Sequence, residues 1–401
     1  MINPTHPRRS APQAPSLDRD PRRSRRGAAT TLTVGLCALS LSVASSAQAA
    51  PSQDEPRSGS DAVTVVLSGL TANKATAPGA HGTLLLGVGT PGGAGALQEY
   101  TADGDDRGRL RTITSLPASP SDVADAGHGA VWVLFGAPPE DGPPAPGSAA
   151  RHLYRWTPQR GGSLTDVADL GSYTAAHPDP NDLESDPTDS NPYGLAALTD
   201  GSVLVTDAAA NAVRQVWPDG RIQTVAQLPV ETVSTGPLGA GAGLPPQMPA
   251  EAVPTSVAVG PDGAWYVGEL KGFPFVPGTS RIWRIEPGSH DITCNPAAAA
   301  DAACRVSESG FTAVIDITFD RRNRLNVLEL AKDGVGAVEH PTGPLPAAAL
   351  IRVSKGGART ELAPGQLVLP GAVALDRRTG DLFVTDHQLI PGQGRLVRLE
   401  S

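Results

Sequence analysis

The sequence contains few aromatic residues and little cysteine. Its 401 residues include 16 Phe, Trp and Tyr and three Cys, whereas Gly (45) and Pro (39) are abundant. Gly and Pro favour turns, because Gly adopts left-handed backbone conformations and Pro fixes φ. The composition is therefore typical of many short strands joined by turns.

The sequence also lacks the motifs that place a catalytic nucleophile. It has no Gly-x-Ser-x-Gly turn and no His-Glu-x-x-His segment, and its histidines are scattered along the chain. Nucleophilic catalysis needs a base beside the nucleophile, and these residues assemble no such pair. Catalytic residues are unknown at this point, and a non-catalytic role is favoured over an enzyme.

Positive charge is scarce beyond the first 49 residues. Residues 1–49 carry seven Arg and two Asp, a net charge of +5, so the rest of the chain has a net charge of −14, against −9 for the whole. An acidic surface repels phosphate backbones and anionic lipids. We therefore expect no nucleic-acid partner and no binding to anionic membranes, whereas cations remain compatible.

The N-terminal region has no hydrophobic run of the length that a membrane span usually needs. The apolar stretch Ala28–Val43 follows an Arg-rich segment and precedes Ala47-Gln48-Ala49, a small-x-small cleavage pattern. We interpret residues 1–49 as a signal peptide and residues 50–60 as a flexible lead. The protein is expected to be secreted, by the Sec or the Tat route; an uncleaved membrane anchor is the alternative.

Two cysteines remain after such cleavage, Cys294 and Cys304, on either side of an Ala-rich stretch. A pair of this spacing without neighbouring His is a poor metal site, whereas secreted proteins form disulfides readily. We predict a disulfide between them that closes a surface loop.

One phrase recurs along the chain: a Pro or turn residue, an alternating apolar stretch, a polar turn with Gly, a second apolar stretch and an acid. Period-2 alternation around such a turn predicts a β-hairpin. The copies lie at Pro254–Glu269, Pro192–Asp207 and Pro370–Asp386, with weaker ones at Pro120–Phe135 and Val314–Glu329 and a sixth near Gly82–Gly87.

A second hairpin follows each first one, as in Val213–Val216 with Ile222–Leu228. Two hairpins make four strands, and six four-stranded copies predict an all-β fold, a six-bladed β-propeller. The turns at the centre of the six copies fall at Gly82, Gly129, Gly201, Gly263, Asn323 and Gly380.

The last copy lacks a fourth strand, since the chain ends at Leu396–Leu399. The segment Asp61–Leu70 has the pattern of an outer strand and no inner strand before it. We therefore predict that it completes the last blade, so that pairing of the two terminal strands closes the ring and removes its open edges. The propeller would span residues 61–401.

Acids end the second strand of several copies. A carboxylate at a repeated position can accept backbone N–H bonds from a neighbouring turn, so a structural role is the favoured interpretation and metal binding the alternative. The residues at this position are Asp207, Glu269, Glu329 and Asp386.

The beginning of each inner strand should face the central channel at one mouth, and the copies differ there. Their oxygen-bearing side chains are those of hard-cation ligands, so they form a candidate ligand or Ca²⁺ site; a hydrated channel is the alternative. The residues are Asp122, Tyr193, Thr255, Ser256 and Asp316.

Several segments resemble the ScyD/ScyE family of exported propellers, which are linked to scytonemin biosynthesis and have a TolB-like or NHL-like six-bladed fold. They are Asn191–Leu195, Val253–Gly263, Tyr266–Phe275 and Ala349–Val353, and the most specific is the Gly-Glu-x-x-Gly-Phe-Pro-Phe run. The match extends from Val63 to the C-terminus and departs in the first two blades and between the two cysteines. The resemblance implies fold and export and supplies no catalytic residues.

These observations favour an exported, monomeric, non-catalytic propeller that binds a small molecule, a glycan or a protein. The alternative is a metal-dependent hydrolase or lactonase of the gluconolactonase type, with a divalent cation such as Ca²⁺ at the channel mouth. No other cofactor is indicated.

Overall fold

The computed structural model of the chain describes residues 62–90, 93–102, 104–138, 147–236, 241, 243–341 and 343–400. These residues form a β-propeller of six sheets, as the repeat predicted. The proposed signal peptide (1–49) and the lead (50–60) lie outside the described residues.

The strands follow the predicted order of two hairpins per blade, and we number the blades by their inner strands. Strand β1 (Thr64–Leu70) comes first in the chain and belongs to the last blade. Blade 1 contains β2 (Ala75–Pro78), β3 (Thr83–Gly89), β4 (Gly95–Thr101) and β5 (Leu110–Leu116); blade 2 contains β6 (Asp122–Gly127), β7 (Ala130–Leu134), β8 (His152–Thr157) and β9 (Ser163–Asp169); blade 3 contains β10 (Pro192–Ala197), β11 (Val203–Asp207), β12 (Ala212–Val216) and β13 (Ile222–Gln227).

A two-stranded hairpin, β14 (Glu231–Ser234) with β15 (Gln247–Ala250), lies between blades 3 and 4 in the chain. Blade 4 contains β16 (Pro254–Val259), β17 (Trp265–Glu269), β18 (Ser280–Ile285) and β20 (Cys304–Phe311). The short strand β19 (Ile292–Thr293) lies between β18 and β20 in the chain but pairs with blade 3. Blade 5 contains β21 (Val314–Phe319), β22 (Leu325–Glu329), β23 (Ala349–Val353) and β24 (Arg359–Leu362), and blade 6 contains β25 (Val373–Leu375), β26 (Leu382–Asp386), β27 (Gly394–Leu399) and β1.

Helical segments are short and lie in connections. Helix α1 (Leu170–Ala176) leaves blade 2, and its first turn is capped by Asp169, which accepts the N–H of Ser172 at 2.8 Å. Helix α2 (Gly336–Glu339) connects β22 to β23, and 3₁₀ turns occupy Ala80–Gly82 and Gln159–Gly161.

The residues predicted at the centre of the inner hairpins all occupy the left-handed region. This conformation strains most residues that have a Cβ atom. Gly has none and Asn tolerates the left-handed region, which explains the residue types at these turns. The φ values are 76° at Gly82, 75° at Gly129, 86° at Gly201, 80° at Gly263, 60° at Asn323 and 91° at Gly380.

The predicted closure of the ring is confirmed. Strand β1 pairs antiparallel with β27, with Thr64 opposite Arg398 and Leu70 opposite Gly394. Blade 6 is thus built from both ends of the described chain, and its outer edge is the N-terminal strand.

The core consists of apolar layers between adjacent blades. Trp132 of blade 2 and Val205 of blade 3 belong to one buried apolar cluster, and Val213 of blade 3 and Trp283 of blade 4 belong to another. All four side chains are at most 1% exposed. Each buried side chain of this size contributes roughly 1.5–3 kcal/mol by leaving water. Because each sheet is covered on both faces, the blades depend on their neighbours.

The predicted disulfide is also present, between Cys294 and Cys304. Cys294 directly follows β19, which pairs in parallel with the outer strand β13 of blade 3, while Cys304 begins the outer strand of blade 4. The bond therefore links two blades, in addition to closing a loop.

Candidate functional site

A cavity of about 420 Å³ lies at the mouth of the channel where the inner strands begin. Its wall contains residues at the beginning of inner strands and residues that follow second strands, and most are apolar. All six blades contribute, for example through Lys74, Phe135, Tyr193, Thr255, Ile315 and Gln388. A volume of this size suits a small organic ligand.

Lys74 and Tyr193 form the polar centre of this wall. The Lys74 Nζ lies 4.4 Å from the centroid of the Tyr193 ring, a cation–π contact. Burial lowers the pKa of Lys74 to about 8, and the nearby Asp122 carboxylate opposes this shift in part. Burial, together with the negative charge of Asp316 and Asp122, raises the pKa of Tyr193, so its hydroxyl stays protonated.

Asp122 begins its inner strand as predicted, but its carboxylate is committed to the backbone. One oxygen accepts the N–H of Val123 at 2.8 Å, and the other accepts the N–H of Leu195 in blade 3 at 2.7 Å. Burial raises the pKa of Asp122 well above its ordinary value, and Asp316 adds to the shift, while the two N–H donors and Lys74 oppose it. Asp122 therefore connects blades 2 and 3.

Asp316 has the same arrangement in blade 5. Its oxygens accept the N–H of Ile317 at 2.8 Å and that of Val373 in blade 6 at 2.7 Å. Burial raises the pKa of Asp316 to about 7, although both N–H donors favour the charged form. Neither Asp316 nor Asp122 is among the residues that line the cavity.

Thr255 lines the cavity, and its hydroxyl is used within the protein. Thr255 Oγ1 donates to the carbonyl of Val314 in blade 5 at 2.7 Å. Ser256, at 2% exposure, is not part of the cavity wall. Of the five residues predicted at the channel mouth, the wall includes Tyr193 and Thr255, whereas Asp122 and Asp316 are half-buried outside the wall and Ser256 is buried.

The Ca²⁺ site predicted at the channel mouth stays a prediction. The part of the chain that the structure describes contains no group of three or more His, Cys, Asp and Glu side chains that could hold a metal ion. Each oxygen of Asp122 and Asp316 accepts one N–H donor, and Ca²⁺ would need further oxygen ligands besides these two side chains, since it takes six to eight.

Three of the repeated acids accept backbone N–H groups. Asp207 accepts the N–H of Asn191 at 2.7 Å, Glu329 that of Thr312 at 2.7 Å and Asp386 that of Val368 at 2.8 Å. In each case the donor belongs to the segment that leads into the inner strand of the same blade. Side chains placed in this way fix the entry of the chain into the blade.

The fourth repeated acid, Glu269, lies in a buried ion-pair network. Its carboxylate accepts a hydrogen bond from Trp283 Nε1 at 2.6 Å and lies 2.9 Å from the Nζ of Lys271. Lys271 also contacts Glu231 of β14 at 2.7 Å, and Arg281 contacts the same Glu231. The network attaches the β14–β15 hairpin to blade 4.

Sequence reasoning missed most residues of the cavity wall, including the polar side chains of Lys74 and Gln388. Both lie outside the recurring phrase, Lys74 just before the degenerate blade 1 and Gln388 after the acid of blade 6. An isolated Lys between Asn73 and Ala75 gives no pattern that could be read, and its pairing with Tyr193 depends on the three-dimensional fold.

The helices of the described part of the chain are short. None of them has both the length and the apolar character that a membrane crossing requires.

Comparison with known proteins supports the fold. The chain matches no protein-family model and no curated protein. Among solved structures, it is similar to a glucose dehydrogenase (14% identity, 85% of this chain and 99% of that chain, TM-score 0.52). It is also similar to a putative oxidoreductase (glucose dehydrogenase) from Thermus thermophilus (17%, 84% and 99%, 0.51). A third is the PQQ-bound aldose sugar dehydrogenase from Streptomyces coelicolor (16%, 84% and 98%, 0.50). At such identities the likeness establishes a six-bladed propeller, and the ScyD/ScyE resemblance rests on the sequence alone.

Proposed function

We propose that this protein is a binding propeller that takes a small, largely apolar molecule into the cavity at the channel mouth. The observation that carries the proposal is the cavity itself, about 420 Å³ in volume and lined by all six blades. Pockets of this size and composition, with a few polar groups in an apolar wall, are typical of small-molecule sites.

Polar groups on the wall support a ligand-binding role. Gln388 is 5% exposed, its Nε2 donates to the carbonyl of Pro370 at 3.1 Å, and its Oε1 has no hydrogen-bond partner in the described structure. Gln388 therefore places a buried, unsatisfied polar atom next to the cavity, which costs free energy in the folded protein. Lys74 supplies a donor on the same wall.

Binding is favoured over metal-dependent hydrolysis by the way in which the carboxylates are used. A hydrolase of that type needs several oxygens around one cation, whereas Asp122 and Asp316 each use one oxygen for a hydrogen bond to the next blade. The cavity wall instead includes the amine of Lys74, which makes no hydrogen bond in the described structure.

The proposal includes an extracytoplasmic location and a role of the ScyD/ScyE type. The N-terminal Arg-rich and apolar pattern and the Ala47-Gln48-Ala49 motif support export, and the Cys294–Cys304 disulfide is compatible with an oxidising compartment. A glycan or a protein as the ligand is a less favoured version, since the cavity is small.

The test is a thermal-shift screen of small molecules against the protein and against Ala137→Phe, which places a large side chain on the cavity wall. Hits should raise the melting temperature of the unaltered protein and lose their effect on Ala137→Phe, because binding to the folded state stabilises it. Ala358→Phe, in the exposed turn between β23 and β24, is the matched control. Hits that act equally on both variants would place the binding site elsewhere.

A further inference from the structure

Lys74 differs from every other lysine of this chain. The sequence has four: Lys74, Lys271, Lys332 and Lys355. Lys271 is held by two carboxylates, Lys332 contacts Glu361 at 2.7 Å, and Lys355 lies in an exposed turn. In the described structure the Lys74 amine has no hydrogen bond and no ion pair, and its contact is the ring of Tyr193.

The surroundings of Lys74 favour its neutral form. Burial lowers its pKa to about 8, so at mildly alkaline pH a large share of the side chain is a free amine. The neutral share of such an amine is a nucleophile, because its lone pair is not protonated, and Lys74 is half-buried on the cavity wall, where a ligand can reach it. The charged groups that act on this part of the molecule are Asp122 and Asp316, whose burial keeps part of their population neutral.

The charge balance selects the kind of ligand. A carboxylate or phosphate entering the cavity would approach Lys74 but also the negative charge of Asp122 and Asp316. A neutral carbonyl compound avoids this repulsion, and its hydrophobic part suits a wall of residues such as Phe135, Ile315 and Leu389.

We propose that Lys74 forms a reversible imine with small, largely apolar aldehydes or ketones that enter the channel-mouth cavity. The inference rests on the proposed function, since it requires this cavity to be the ligand site. The Nζ lone pair forms a bond to the carbonyl carbon, and the carbonyl oxygen becomes the hydroxyl of a carbinolamine. The C–O bond then breaks, and the two amine hydrogens leave with the oxygen as water, so that no oxidant or reductant is consumed.

The experiment is reductive trapping. The protein is incubated with 2-naphthaldehyde and sodium cyanoborohydride, which reduces an imine to a stable amine, and modified lysines are located by peptide mass mapping. With a pKa near 8 against the ordinary value of about 10.4, Lys74 has a neutral fraction roughly two hundredfold larger at neutral pH than an ordinary lysine. A less basic amine is also a weaker nucleophile, so Lys74 should be modified at least about tenfold faster than Lys332 or Lys355. Its rate should level off above pH 8.

Three variants serve as controls. Lys74→Met and Lys74→Arg should both lose the fast-labelling site, and the Arg variant keeps the cation over Tyr193 as a check on folding. Lys332→Met should label at Lys74 as the unaltered protein does. Equal labelling of Lys74 and Lys355, or fast labelling that survives in Lys74→Met, would overturn the proposal.

The outcome also separates this inference from the function on which it rests. If screening hits bind and are lost in Ala137→Phe while Lys74 is not trapped, the cavity is a ligand site and the imine is wrong. If Ala137→Phe affects neither the hits nor the labelling, the ligand site itself is wrong.

Discussion

Asp122 and Asp316 occupy the same position in blades 2 and 5. Each lies opposite a Leu of the second strand, Leu134 and Leu328 respectively, and each accepts one N–H from the residue that follows it and one from the next blade. Blades 2 and 5 face each other across a six-membered ring. Two carboxyl groups on opposite sides of the ring thus each connect two neighbouring blades.

The titration of Asp316 should make the protein less stable as the pH rises through neutrality. Its pKa is about 7 in the folded protein against an ordinary value of 3.8, so between these values the folded state binds a proton that the unfolded chain has lost. The free energy of unfolding contributed by Asp316 is complete below about pH 4 and declines up to about pH 7, with a slope of at most about 1.4 kcal/mol per pH unit.

The measurement is urea denaturation from pH 4 to pH 8 on the protein and on Asp316→Asn. The variant loses one acceptor and should be less stable at low pH by about 1–3 kcal/mol. Because the titration of Asp316 removes about 4 kcal/mol from the unaltered protein between pH 4 and pH 8, this difference should shrink and then change sign. Asp219→Asn, in an exposed turn, should leave the pH dependence unchanged. A constant gap between Asp316→Asn and the unaltered protein would contradict the assigned shift.

Removal of the disulfide should loosen the junction of blades 3 and 4. Cys294→Ser with Cys304→Ser should lower the free energy of unfolding by about 2–3 kcal/mol, because a cross-link restricts the unfolded chain. The amide of residue 294, which donates to Gln227 at 2.9 Å, should exchange its hydrogen faster. Reductant should lower the stability of the unaltered protein to that of the double variant and leave the double variant unchanged. If the exchange rate at residue 294 is the same in both proteins, the disulfide does not hold β19 on blade 3.

Lys271 should be essential for stability because it neutralises two buried acids. Lys271→Met leaves Glu231 and Glu269 without their shared cation, and uncompensated buried charge of this kind costs about 3–5 kcal/mol. Lys332→Met, which breaks a partly exposed pair, should cost less than about 1 kcal/mol.

The double variant Lys271→Met with Glu269→Gln should regain part of the loss, since the stranded charge of Glu269 is removed while Glu231 keeps its contact with Arg281. Equilibrium denaturation measures all three variants. Equal effects of Lys271→Met and Lys332→Met would mean that the network does not anchor the β14–β15 hairpin.

The fold could be predicted because its signal is local. Alternation in Val257–Val259 and Trp265–Val267 around a Pro-Asp-Gly turn specifies a hairpin by short-range chemistry, and the repetition of that phrase specifies the ring.

The cavity could be predicted only in part. The position of Tyr193 follows from the repeat, whereas the direction of the Asp122 and Asp316 oxygens depends on the distance between blades.

Lys74 illustrates the part of the cavity that could not be predicted from the sequence. It precedes the most degenerate copy of the repeat, so no pattern marks it, and its environment is created by residues far away in the sequence, above all Tyr193 and Asp122. Burial, and therefore chemical reactivity, is a property of the assembled ring.

The cavity depends on closure of the ring by β1 and β27. Only a closed ring brings the beginning of blade 1 next to blade 6 and so completes the cavity wall. The direct measurement is disulfide trapping with Thr64→Cys and Arg398→Cys, which lie opposite each other in the two strands. Mild oxidation should join them in nearly all molecules without lowering the melting temperature, while Thr64→Cys with Arg352→Cys of blade 5 should stay reduced. Free thiols in the first pair, with the protein folded, would contradict the closed propeller.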